Sequence, residues 1–66
     1  MSTTKIRLWF LRETPLARLY SKVPPERHPE ASDQIWVPRS ITEHTSKRGD
    51  EHTLTLPDWF AAQHDL

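Results

Sequence analysis

The chain contains no cysteine. That excludes a disulfide framework and the thiolate zinc sites that hold many small domains together, and it makes a reducing cytoplasm the natural compartment. Glycine occurs once, as Gly49, so a left-handed turn has one ready position. Long apolar runs are missing too. The N-terminal "MSTTKIRLWFLRE" is broken by charges, and neither a signal peptide nor a membrane span is expected from it. Large apolar residues are scarce: Leu, Ile, Val and Phe number fourteen in 66 residues, near the level at which disorder sets in. A chain this short buries only about 60% of its unfolded surface. Trp9, Trp36, Trp59 and Tyr20 offset the shortage, because each large ring can bury ~150–250 Å². Residues 1–66 therefore read as one small domain built around its aromatic rings.

Net charge is also absent, with nine basic against nine acidic residues, but the signs are unevenly placed. Lys5, Arg7, Arg12, Arg18 and Lys22 face Glu13 alone in the first third. Asp50, Glu51, Asp58 and Asp65 stand without a Lys or Arg in residues 50–66. Such polarity either neutralises itself across the fold or builds two oppositely charged faces.

The local pattern is mostly that of strands. "KIRLWFLR" (5–12) alternates, with Ile6, Leu8 and Phe10 on one side and Arg7, Trp9 and Leu11 on the other. Pro15 punctuates, and "LARLYSKV" (16–23) alternates again, with Ala17 and Leu19 expected inward and Arg18, Tyr20 and Lys22 outward. "PPERHPEASD" (24–33) is a proline-rich surface loop with nothing large to bury. "QIWVP" (34–38) reads as the third strand, Ile35 and Val37 facing the core and Trp36 the other side. Ser40 and Glu43 have capping-box spacing, so residues 40–44 suit either a helical turn or an extended segment. Gly49 marks a tight turn, "HTLTL" (52–56) is the fourth strand, and "PDWFAAQHDL" (57–66) is the closing helix with Trp59 and Phe60 as anchors. The expected class is α+β: a small antiparallel sheet of about four strands, β-β-β-β-α, with the C-terminal helix on one face.

Chemistry-bearing motifs are few. His28, His44, His52 and His64 lack the short spacings of a metal site, and no cofactor or metal is expected. "RGD" (48–50) reads as a charged turn. No nucleophile or general-base motif is present, and a core of this size is not expected to hold a pocket of about 300 Å³. No catalytic residue is assigned, and the chain reads as a non-enzyme.

The basic hairpin is the candidate contact surface. Arg7, Trp9, Arg18 and Tyr20, with Arg39 just past Pro38, combine cations with aromatic rings. Such a set suits a protein interface, single-stranded nucleic acid, or plain packing with Trp9 stacked on Trp36 across neighbouring strands. Net neutrality weighs against nucleic acid. Asp50, Glu51, Asp58 and Asp65 form the alternative, acidic contact face.

The segments "KIRLWFLRETPLARLYSK", "IWVPRS" and "LTLPDWFAAQHDL" together resemble short phage and mobile-element proteins. Their pattern is a strand ending in an Arg-Glu-Thr-like turn, a strand reading Trp-Ile/Val-Pro-Lys/Arg-Ser, and a closing Leu-Pro-Asp/Glu-Trp helix. Among such proteins with an assigned role, the chain looks most like phage anti-CRISPR proteins. The resemblance implies a phage-encoded, non-enzymatic inhibitor. It would act as a monomer in the host cytoplasm, bind a host defence complex such as a type I CRISPR effector, and block target-DNA recognition. The alternative is a phage accessory protein that binds single-stranded DNA or serves recombination. No membrane partner is expected.

Overall fold

The computed structural model describes residues 2–66. Five strands form one antiparallel sheet: β1 (Thr3–Glu13), β2 (Ala17–Ser21), β3 (Gln34–Pro38), β4 (His44–Arg48) and β5 (Glu51–Pro57). Helix α1 (Asp58–Gln63) closes the chain. The spatial order is β3-β2-β1-β5-β4. The count exceeds the expected four because His44–Arg48 is a strand of its own. It hairpins to β5 through Gly49, whose φ of +62° is one that an L side chain rarely adopts.

The inner face carries the core. Register pairs Ile6 with Leu54, Leu8 with His52, Phe10 with Tyr20, and Tyr20 with Ile35. Cross-strand partners share a face, so these residues line one side. Leu8, Tyr20, Ile35, Val37, Leu54 and Leu56 pack there with Phe60 of α1, and Ile6, Phe10, Ile41 and Leu66 close the margins. Helix α1 lies on β1 and β5. Asp65 takes a left-handed φ of +54°, which lets the Leu66 N–H reach the Ala61 carbonyl at 2.8 Å and turns Leu66 onto the core.

Strands β3 and β4 are opposite edges of the sheet, yet only residues 39–43 join them. Five strands spaced ~4.8 Å apart span roughly 19 Å when flat. Five residues that include a 3₁₀ turn, Arg39–Ile41, fall short of that. The sheet therefore curls, and the crossover passes over the inner face with Ile41 against the core. This explains why Ser40 and Glu43 do not nucleate a helix: Ser40 caps nothing, and the Thr42 hydroxyl instead donates to the Pro38 carbonyl at 3.2 Å.

Three further expectations need correction. Tyr20 is buried and Leu19 lies on the outer side, the reverse of the alternation read from residues 16–23. The hairpin register decides this, because Phe10 pairs with Tyr20. Trp59 is 56% exposed while Phe60 is buried, so one ring anchors the helix instead of two. Trp9 and Trp36 cannot stack as neighbours, because β2 separates their strands. The proline-rich loop is better organised than its composition implied. It holds two 3₁₀ turns, Pro25–Arg27 and Ala31–Asp33, and the Lys22 N–H to Asp33 carbonyl bond at 2.8 Å ties its ends together.

Candidate functional site

The five candidate contact residues do not share one surface. Arg7 and Trp9 lie on the outer face of β1. Arg18 and Tyr20 face inward on β2, and Arg39 begins the crossover. Tyr20 is withdrawn from contact altogether, at 1% exposure. The acidic set is scattered as well. Asp50 sits in the β4–β5 turn and Glu51 on the outer face, while Asp58 and Asp65 lie at opposite ends of α1. Glu51 is paired with Arg7 at 3.4 Å, and the Asp58 carboxylate takes the Thr4 hydroxyl. No single acidic face forms.

A β-bulge decides what the outer face carries. Between Phe10 and Arg12 the β1–β2 register slips by one, so Leu11 is the extra residue. Past the slip, Arg12 pairs with Leu19 and Glu13 with Arg18. Arg12 is thereby moved to the outer side, in a row Arg12–Leu19–Trp36 across three strands. Its guanidinium lies 5.6 Å from the centre of the Trp36 ring, so its stem crosses Leu19. Leu19 is consequently buried on a face with no second layer of core, while Trp36 stays 43% exposed.

A second row, Gln34–Ser21–Trp9–Glu51–Arg48, runs across all five strands. With Lys5 and Arg7 in the neighbouring rows, the outer face displays four cations, Lys5, Arg7, Arg12 and Arg48. Glu51 is the one carboxylate in these rows. Half-buried Thr53 and Thr55 lie between them. A chain of zero net charge thus has a sheet face with a surplus of about three positive charges and two tryptophans. Lys5, Arg12, Arg48 and Trp36 belong to this candidate face but are absent from the contact set read from the sequence. The bulge hides the parity of Arg12, and Arg48 reads as part of a turn. Trp36 was placed on the correct side from its alternation with Ile35 and Val37, and that signal was sufficient.

The inner face holds a different arrangement. Glu13 Oε2 accepts from Arg39 at 2.6 Å and from Arg18 at 3.2 Å. The cation at the exit of β3 therefore has a partner in the β1–β2 hairpin. Arg18 and Arg39 both line an open cleft of about 310 Å³ between β2, β3 and the crossover, lined also by Tyr20, Val37, Thr42 and Thr45. The expectation that so short a chain holds no cleft of this size does not stand, because the curled sheet and its crossover enclose one. Burial disfavours the Arg18 charge, but the Tyr20 hydroxyl and Glu13 outweigh it and hold the Arg18 pKa above its ordinary value. Arg39→Ala removes an ion pair whose partners are 41% and 49% exposed. It should cost no more than ~1 kcal/mol in a urea melt, and a larger loss would mean that the crossover depends on this pair.

Behind the cleft, the Tyr20 hydroxyl and His52 Nδ1 share a hydrogen bond at 3.0 Å, and the Phe10 ring stacks on the imidazole at 5.2 Å. His52 is 5% exposed. Burial lowers its pKa, with the Lys47 and Arg18 charges acting in the same direction. The unfolded chain then binds the proton more readily than the fold does. Stability is full above the ordinary histidine pKa of 6.5, declines as pH falls below it, and levels off once His52 protonates within the fold. Urea melts across that range check this, and His52→Gln should flatten the decline. His52 shares its parity with Leu54 and Leu56, so its burial was readable from the strand pattern.

Among the described residues, no three His, Asp or Glu side chains converge to hold a metal ion, and no helix is long and apolar enough to cross a membrane. In comparisons with known proteins, no family, no curated protein and no solved structure matches the chain.

Proposed function

We propose that the protein is a non-enzymatic binding module that holds single-stranded nucleic acid on the outer face of its sheet. The observation that supports this is the segregation of charge: Lys5, Arg7, Arg12 and Arg48 stand against Glu51 alone, beside Trp9 and Trp36. Binding of this kind combines phosphate contact with base stacking on aromatic side chains. Net neutrality of the chain, which weighed against nucleic acid, matters less than the local surplus, because a polyanion meets one face at a time. The breadth of the sheet suits about four nucleotides. Fluorescence anisotropy with labelled oligothymidine should show binding that weakens with salt. The expected slope of log K against log[salt] is about −2 to −3, from three or four phosphates neutralised on a single strand. Absence of a complex at low salt would remove the proposal.

A second reading follows from the sequence resemblance. The protein would be a phage-encoded inhibitor that binds a host defence complex, such as a type I CRISPR effector, in the host cytoplasm and blocks target-DNA recognition. The same face supports it, since Trp and Arg dominate the energetics of protein interfaces. A purified effector should then co-elute with the protein and lose target binding. Unchanged target binding and cleavage with the protein in excess would exclude it.

A further inference from the structure

The inner cleft lies on the opposite side of the sheet from the proposed nucleic-acid surface and has a chemistry of its own. Arg18 and Arg39 come from different elements, β2 and the crossover, yet converge on one oxygen of Glu13. Each guanidinium carries five N–H donors, and Glu13 accepts one from each. Arg18 and Arg39 both line a volume of about 310 Å³, at the lower end of the range for small-molecule sites. Val37 supplies an apolar wall, and Thr42 and Thr45 bring hydroxyl groups. Tyr20, Glu43 and His44 complete the lining. The Arg18 side chain is 21% exposed, so most of its stem is packed beside the cleft.

We infer that this cleft binds a small phosphate monoester, and that the Glu13 carboxylate occupies the place of the phosphate until one arrives. A competing carboxylate would gain nothing over Glu13, which already offers the same group. A phosphate monoester carries about −1.5 to −2 charges and three acceptor oxygens. It can engage both guanidiniums more fully than one carboxylate oxygen does. The Glu13 side chain is 49% exposed and can turn to solvent, and an exposed ion pair gives it little hold. Displacement therefore leaves no buried charge unpaired.

The test is a titration of the whole protein with inorganic phosphate, and separately with a nucleoside monophosphate. Both are followed by NMR at ionic strength matched with chloride. Saturable shifts confined to Arg18, Val37, Arg39, Thr42 and Thr45 are expected with phosphate. Glu13→Gln, which removes the competing carboxylate, should tighten binding several-fold, and Arg39→Gln should weaken it about tenfold. Tighter binding of the nucleotide would place the ester's organic part in the remaining volume. Equal affinity would confine recognition to the phosphate. Trp36→Ala should leave these responses intact, which separates failure here from failure of the nucleic-acid proposal. Shifts that do not saturate or that chloride reproduces, or a Glu13→Gln protein that is folded by its amide spectrum yet binds phosphate no better, would overturn the assignment.

Discussion

Phe60→Ala is expected to remove a large part of the fold's stability, while Trp59→Ala, one residue away, costs much less. A chain of 66 residues has a total stability of roughly 3–10 kcal/mol at ~0.05–0.15 kcal/mol per residue. Truncating a buried Phe costs about 3–5 kcal/mol, through lost burial and the cavity left behind. Phe60 is 5% exposed and is the residue through which α1 joins the cluster of Leu8, Leu54 and Leu56. Its ring also meets Trp59 edge-on at 5.8 Å and His64 at 4.4 Å. Trp59 is 56% exposed, so its loss should cost about 1 kcal/mol, chiefly its edge-on contact with Phe60. Urea midpoints for the two variants decide the matter. Equal shifts would mean that Trp59 anchors the helix as its sequence position implied.

Trp36→Ala should weaken oligothymidine binding by about 1–3 kcal/mol, the worth of one base stacked on an aromatic side chain. The salt slope should stay put, because no cation is lost. Arg12→Ala should do the opposite. It removes one phosphate contact, lowering the slope by about 0.7 per contact on a single strand. It also leaves the Trp36 ring less constrained, since the guanidinium packs 5.6 Å from it. The double variant should therefore lose less than the sum of the two, as residues in direct contact are coupled. Both side chains are solvent-exposed, so both variants should fold. Unchanged affinity in Trp36→Ala would separate the aromatic ring from any role in binding.

Much of the fold was legible because alternation is a local property. β1 and β3 lie where period two placed them, and the closing helix follows the last strand. The inward set Ile6, Leu8, Ile35, Val37, Leu54 and Leu56 was read correctly, since each apolar residue alternates with a polar or exposed one. The second strand failed. "LARLYS" offers an apolar residue on both sides, and only pairing with β1 settles that Tyr20 goes in and Leu19 out. The contact surface failed for a related reason. A bulge at Leu11 reverses the parity of all that follows it in β1, and alternation has no means of announcing an extra residue.

By itself, the sequence determined the class of the fold, the turn at Gly49, the exclusion of disulfides and the apolar stripe of each long strand. These follow from residue type and short-range periodicity. Only the tertiary structure decided how the charges divide. Residues far apart in sequence, Arg12 with Trp36 and Glu13 with Arg18 and Arg39, meet through the register of paired strands and the path of a five-residue crossover. A net charge of zero holds no information about which face each charge occupies. Strand pairing supplies it, and here it makes a cationic outer face and an inner cleft whose two arginines share one carboxylate.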